Sequence, residues 1–178
     1  RNYILIKVRL IFLIIFFISF FFKLSANEKV VFIDLDFIVN NSLAGKNAIL
    51  QIEDEKNSSL LALQKMEQEL KDEENKVITQ KNVISENEFS IKIDNLKNKI
   101  KKYQELRIQK NNKLNQLSAS AKNKLILSLN PILNEYSKKN AISMVLQKKS
   151  IIIGKSDLDI TQQILIEFDN KVKKINLK

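Results

Sequence analysis

The chain has no cysteine and no histidine, only two glycines (Gly45 and Gly154) and a single proline, Pro131. Each absence excludes something. Without cysteine there is no disulfide to support the fold and no thiol nucleophile. Without histidine the commonest general base is missing, and most zinc sites go with it. Two isolated glycines cannot build a glycine-rich phosphate loop. Paired carboxylates could still do acid–base work, but Glu53-Asp54-Glu55 and Asp72-Glu73-Glu74 fall inside a helical pattern, where a solvated face accounts for them. The sequence therefore argues against an enzyme, a metal site or a bound cofactor, and leaves a binding protein.

The same scarcity shapes the middle of the chain. Residues 46–130 contain neither glycine nor proline and are rich in Lys, Glu, Gln, Leu and Ile, so most of this run reads as helix. One straight helix of that length would reach on the order of 130 Å, and the rest of the chain is too small to cover it. The run must fold back or be covered by copies of itself. A 3-4 spacing runs through Ile49, Ile52, Lys56, Ser59, Leu63, Met66, Leu70, Glu73 and Val77. A second runs through Ile93, Leu96, Ile100, Tyr103, Leu114, Leu117 and Ala121, interrupted by Arg107 and Lys110. Both are coiled-coil-like seams. Between them Asn82, Ser85 and Asn87 cluster, and Ser85 with Glu88 fits a capping box. The pattern predicts a tight reversal there, joining two antiparallel helices into an arm roughly 60 Å long.

Charge supports the fold-back. Residues 51–76 carry eight acidic and four basic side chains, a net of −4, and residues 77–113 carry nine basic and four acidic, a net of +5. An antiparallel hairpin pairs these halves. Lys97, Lys99, Lys101, Lys102, Arg107, Lys110 and Lys113 form the densest basic run. It could attract acidic proteins, anionic lipid head groups or nucleic acid. The plainer account is a solvated face in a chain whose Ile and Asn content suggests AT-rich coding. Aromatic side chains are not interleaved with these cations, which argues against single-stranded nucleic acid. The seams, too, have two readings: they only hold the hairpin together, or they leave residues such as Leu60, Ile84 and Phe89 exposed for a partner.

The N-terminus is a separate matter. Arg1, Lys7 and Arg9 precede an apolar block, Leu10–Phe22, closed by Lys23 and by Ala26. This is the layout of a secretory signal peptide cleaved near Ala26, and the block is shorter than the ~20 residues that span a bilayer. An uncleaved anchor is the alternative. Loss of the leader's four cations takes the formal net charge from +10 to +6.

Outside the arm, three runs read as strands: Val30–Ile33 before Asp34, Ala141–Leu146, and Ser150–Ile153 ending at Gly154. Gln147-Lys148-Lys149 would turn the last two into a hairpin. So small a sheet invites completion by other copies of the chain. Pro131 should kink or restart the second arm helix, after which Ile132, Leu133 and Tyr136 pack toward the sheet. In the final helix Asp159 is the expected cap, with Gln162 at the third position. Ile160, Ile164, Leu165, Phe168 and Val172 form its apolar face. The predicted class is α+β, mostly α. Residues 1–26 are the signal peptide, 27–45 with 131–178 a β-containing oligomerisation head, and 46–130 the arm.

At this point the chain resembles the Skp/OmpH family of periplasmic chaperones. Val31-Phe32-Ile33-Asp34-Leu35, running on to Ser42-Leu43-Ala44-Gly45-Lys46, is similar to that family's first strand and helix entry. Asp159-Ile160-Thr161 is similar to its characteristic ending. Two positions depart from it: Ile151-Ile152-Ile153 where an aromatic is expected, and Asn140 where glycine is common. The resemblance implies a homotrimer whose head holds three helical arms around a cavity. That cavity would keep unfolded outer-membrane proteins soluble without ATP. On this reading Lys97, Lys101, Lys102, Arg107 and Lys110, with Ile84 and Phe89 near the tip, are candidate client contacts. Asp34, Gly45, Pro131, Gly154, Asp159, Ile160 and Thr161 carry structure. The competing readings are a structural coiled-coil envelope protein anchored by an uncleaved N-terminus, a basic nucleic-acid binder that export disfavours, and, more distantly, an enzyme using paired acidic residues.

Overall fold

A computed structural model describes residues 28–177; the expected signal peptide lies outside them. β1 (Lys29–Ile33) leads into a short helix, α1 (Leu35–Asn41), and then into α2 (Leu43–Gln80), α3 (Glu86–Lys139), β2 (Ile142–Gln147) and α4 (Thr161–Lys171). α2 has 38 residues and α3 has 54, so α2 extends about 57 Å. They pack antiparallel as the arm, and α3 runs on into the head.

The helix starts are set by side chains that satisfy orphan backbone N–H groups. Asp34 Oδ1 accepts from the Phe37 N–H at 2.9 Å. Ser42 Oγ accepts from the Gly45 N–H at 3.0 Å, and Asp169 of α4 takes the Leu43 N–H at 2.7 Å. The expected box at the reversal is present: Ser85 Oγ accepts from the Glu88 N–H at 3.3 Å, and Glu88 Oε2 accepts from the Ser85 N–H at 3.2 Å. α1 was not anticipated, and α2 consequently starts ahead of Gly45, which lies inside it. Only glycine fits there. A Cβ at Gly45 would stand 1.7 Å from the Val39 carbonyl oxygen, where the end of α1 crosses α2.

The sheet corrects the sequence reading. β1 pairs with β2 in parallel, Val30 opposite Met144 through Ile33 opposite Gln147, so the whole arm serves as the crossover that parallel strands require. The run Ser150–Ile153 forms no strand. A 3-10 turn at Lys148–Ser150 diverts the chain, and the far edge of β1 is met by Asp159, which bridges to Phe32. Ile152 and Ile153 are 99% and 91% exposed. Ala141 is not in β2. It takes a left-handed conformation (φ 51°) that ends α3 after Asn140.

Of a kink or a restart at Pro131 the restart does not occur, and the cap expected at Asp159 is not the one observed. α3 continues through Pro131 to Lys139 and does not restart. Proline removes one backbone donor, but Pro131 and Leu127, whose carbonyl loses that bond, both lie on the exposed side of the helix, open to water. Asp159 is not the N-cap of α4. That position is Ile160, and Asp159 instead accepts the Thr161 N–H at 3.0 Å and the Thr161 hydroxyl. Lys148 Nζ, 2.9 Å from its other oxygen, helps hold it there.

The core forms where the arm root meets the head. Val31, Ile33, Ile38, Leu129, Ile132, Ile164 and Phe168 are buried together, with Leu133 and Tyr136 packed against them, and burying one such aliphatic or aromatic side chain contributes about 2 kcal/mol. The apolar face expected of α4 is the one it buries.

Candidate binding surface on the arm

The two arm helices meet along a narrow seam. Ile52, Ser59, Leu63, Met66, Leu70, Glu73 and Val77 of α2 turn inward, as their spacing predicts, but Glu55 takes the place expected for Lys56. On α3, Leu106 and not Arg107 occupies the seam. At each interruption the helix takes a three-residue step before a four-residue one, the reverse of the expected order. The expected pairing of acidic and basic halves is realised across the seam. Lys113 Nζ lies 2.8 Å and Lys110 Nζ 4.0 Å from Glu55 Oε1, and Lys99 pairs with Glu73. Lys113's hydrogen bond holds the Glu55 carboxyl below its ordinary pKa, against the opposing effect of burial.

The candidate cations do not form one patch. At about 100° per residue, Lys97 and Lys101 lie on the back of α3, away from α2, while Lys102 and Arg107 sit on its two flanks. All four are exposed. Lys97 pairs with Asp94 at 3.1 Å and Lys101 approaches Glu105 at 4.0 Å, both within α3. Lys102 and Arg107 make no ion pair among the described residues. Lys110 differs from the rest. Its side chain is only 26% exposed and its charge faces Glu55, so it belongs to the seam.

At the tip, Ile84 and Phe89 are half-buried, contrary to the expectation of free apolar groups. Their neighbours carry that role: Val83 is 81% exposed, and Ile78 and Ile91 are exposed beside it. Leu60 is exposed as expected, and Leu50, Leu61 and Ile108 continue the exposed apolar residues down the arm. The signal for them was present in the sequence, since each falls outside the 3-4 seam. The grooves of the arm are shallow and open, and one holds about 720 Å³ beside Gln51, Glu55, Lys113 and Leu177. Such a surface suits many weak contacts along a rod.

The structural residues gather in the head. Asp34, Thr161 and Asp159 are linked by hydrogen bonds where β1 meets α4. Gly154 lies over Phe32, where a Cβ would approach Cε1 to 2.9 Å. Burial pushes the Asp159 carboxyl up, but hydrogen bonds from Thr161 and Lys148 outweigh it and leave it below its ordinary value. Lys148 is raised in turn by its hydrogen bond to Asp159.

Fold and surface define a small α+β head carrying one long antiparallel helical arm, an interaction protein built around exposed rods. The family described as outer membrane protein (OmpH-like) matches residues 29–168, and the chain belongs to that family. Among solved structures it is similar to an outer membrane chaperone assigned as OmpH-like, from Caulobacter crescentus CB15. The TM-score is 0.79 at 16% identity, over 84% of this chain and 88% of that one. No curated protein matches the chain.

Proposed function

We propose that this protein is an ATP-independent periplasmic holdase that shelters unfolded outer-membrane proteins between helical arms. Membership of the OmpH-like family supports a chaperone role. The observation that carries the finer reading is the arm itself. Its thin seam uses up only part of its apolar residues, and exposed Leu61, Ile78 and Val83 share the rod with the unpaired cations Lys102 and Arg107. Dispersed apolar and basic groups retain an unfolded chain without fixing its conformation.

The proposal includes assembly. Met144 and Leu146 of β2 and the isoleucines at 152 and 153 are exposed on the head. Covering them with strands of neighbouring copies completes the sheet, and a head-to-tail contact of this kind closes into a ring, here a homotrimer. The leader is cleaved near Ala26, residues 46–130 act as the arm, and the flanking segments act as the head. Outer cations on α3 give the arm affinity for acidic segments and anionic lipid head groups, with no specific nucleic-acid site.

Dilution of an unfolded outer-membrane β-barrel protein from urea tests the reading, with and without the Asn27–Lys178 chain and without ATP. A soluble complex of three copies with one client, sized by light scattering, is the expected result. Unchecked aggregation in the presence of well-folded protein would overturn it and favour a structural coiled coil with one fixed partner.

A further inference from the structure

After α4 the chain does not leave the head. It crosses the root of the arm. Gln51 of α2 grips this segment with both ends of its carboxamide: Nε2 donates to the Ile175 carbonyl at 2.7 Å, and Oε1 accepts from the Leu177 N–H at 3.2 Å. The side chain thus pairs with the tail as a neighbouring strand's peptide group would. Asn47, one turn earlier on α2, accepts from the same Nε2 at 2.9 Å and orients it. On the other arm helix, Lys124 Nζ donates to the Asn176 carbonyl at 2.6 Å. Leu177 is buried, and Val172 and Ile175 pack against the same core. A single segment therefore joins α4 to both arm helices at the level where the arm leaves the head.

We propose that residues 172–177 form a strap that fixes the angle between arm and head, and that Gln51 is its positioning residue. Besides the packing of Ala48, Ala121 and Leu125 into the core, the other tie between arm and head near this level is an exposed ion pair, Lys122 with Asp36, and exposed pairs constrain little. The strap is different in kind, because it combines a buried side chain with backbone hydrogen bonds to both arm helices. An open groove borders Leu177, so the strap has space to lift without unfolding the head. When it lifts, the arm keeps the continuous helix α3 and the packing of Ala48, Ala121 and Leu125 at its root, and swings over a wider range. This goes beyond the client-holding role and stands whether or not that role is correct.

The test uses the chain's lack of cysteine. Glu74→Cys on the arm and Gln163→Cys on α4 carry a spin-label pair, with labelled chains diluted into unlabelled ones so that each assembly holds one pair. Gln51→Ala removes two hydrogen bonds and should release the strap roughly tenfold more often, read as about tenfold faster exchange of the Leu177 amide. The arm–head distance distribution should broaden while helix content stays the same. Two outcomes would overturn the proposal: exchange at Leu177 that does not change, or faster exchange with a distribution as narrow as before. Leu177→Asp expels the strap directly and should broaden the distribution further. If that variant unfolds the head, the Gln51→Ala result decides alone.

Discussion

The backbone N–H of Asp34 donates to the hydroxyl of Thr161 at 2.8 Å, joining the end of β1 to the first turn of α4. The hydroxyl in turn donates a hydrogen bond to Asp159, and the Ile160 N–H donates to the Phe32 carbonyl at 3.0 Å. Thr161 is buried, so replacing it with valine leaves an N–H without an acceptor. Thr161→Val should cost about 2 kcal/mol, measured by urea denaturation. Thr161→Ser keeps the hydroxyl and should lose less than half of that. Equal losses in the two variants would show that the methyl group, not the relay, matters.

Gly45 is required by contact, not by an unusual backbone angle. In Gly45→Ala the new methyl would overlap the Val39 carbonyl oxygen. Backbone must move on one side or the other, at a cost of about 3 kcal/mol. Thermal unfolding should register the loss, and a variant as stable as the parent would mean that α1 can shift away freely.

Ala141 offers a change in the opposite direction. Its left-handed backbone carries a Cβ penalty that glycine lacks. Ala141→Gly should stabilise the chain by about 1 kcal/mol, visible as a higher denaturation midpoint with unchanged slope.

At the tip, Ser85→Ala removes one half of the capping box. The expected loss is about 1 kcal/mol, confined to the arm. Hydrogen exchange should quicken at residues 86–89 and remain as before in α4.

Acid should weaken both the arm and the head. Glu55 and Asp159 have folded pKa values below their ordinary ones. Their contribution is therefore complete above the ordinary carboxylate range and is lost as pH falls through the lowered values. Urea midpoints compared between about pH 6 and about pH 3 should fall, and Glu55→Gln should show a smaller fall than the parent. An identical pH dependence in that variant would exclude Glu55 as a contributor.

The arm was legible in the sequence because its information is local. The reversal at Ser85, the antiparallel pairing of opposite charges and the buried face of α4 all follow from spacing within a few turns. Phase was lost where polar residues break the stripe, so Glu55 and Leu106 stand where Lys56 and Arg107 were expected, and at Ile49 and Ile100, which are exposed although the seam was expected to include them. The head was less legible because its elements depend on distant partners. Ile151–Ile153 has the composition of a strand, yet within one chain no free strand meets it. α1 is seven residues long, too short for periodicity to reveal. Asp159 has the right residue type for a cap, but Lys148 and Thr161 hold its carboxylate one position ahead of the helix. Nothing in the spacing of Val172–Leu177 signals that Gln51 will hold it.

The parallel pairing of β1 and β2 also favours one order of assembly. Lys29 and Ile142 are register partners, so a disordered connection of about 110 residues would cost roughly 4 kcal/mol to close. A preformed hairpin brings both strands to the same place after closing only the short turn at its tip. Zipping of the arm from Ser85 inward before the head forms avoids that cost. Loosening the Lys81–Ser85 turn by glycine insertion should slow refolding of a domain some 60 Å away, while leaving the rate of its unfolding almost unchanged.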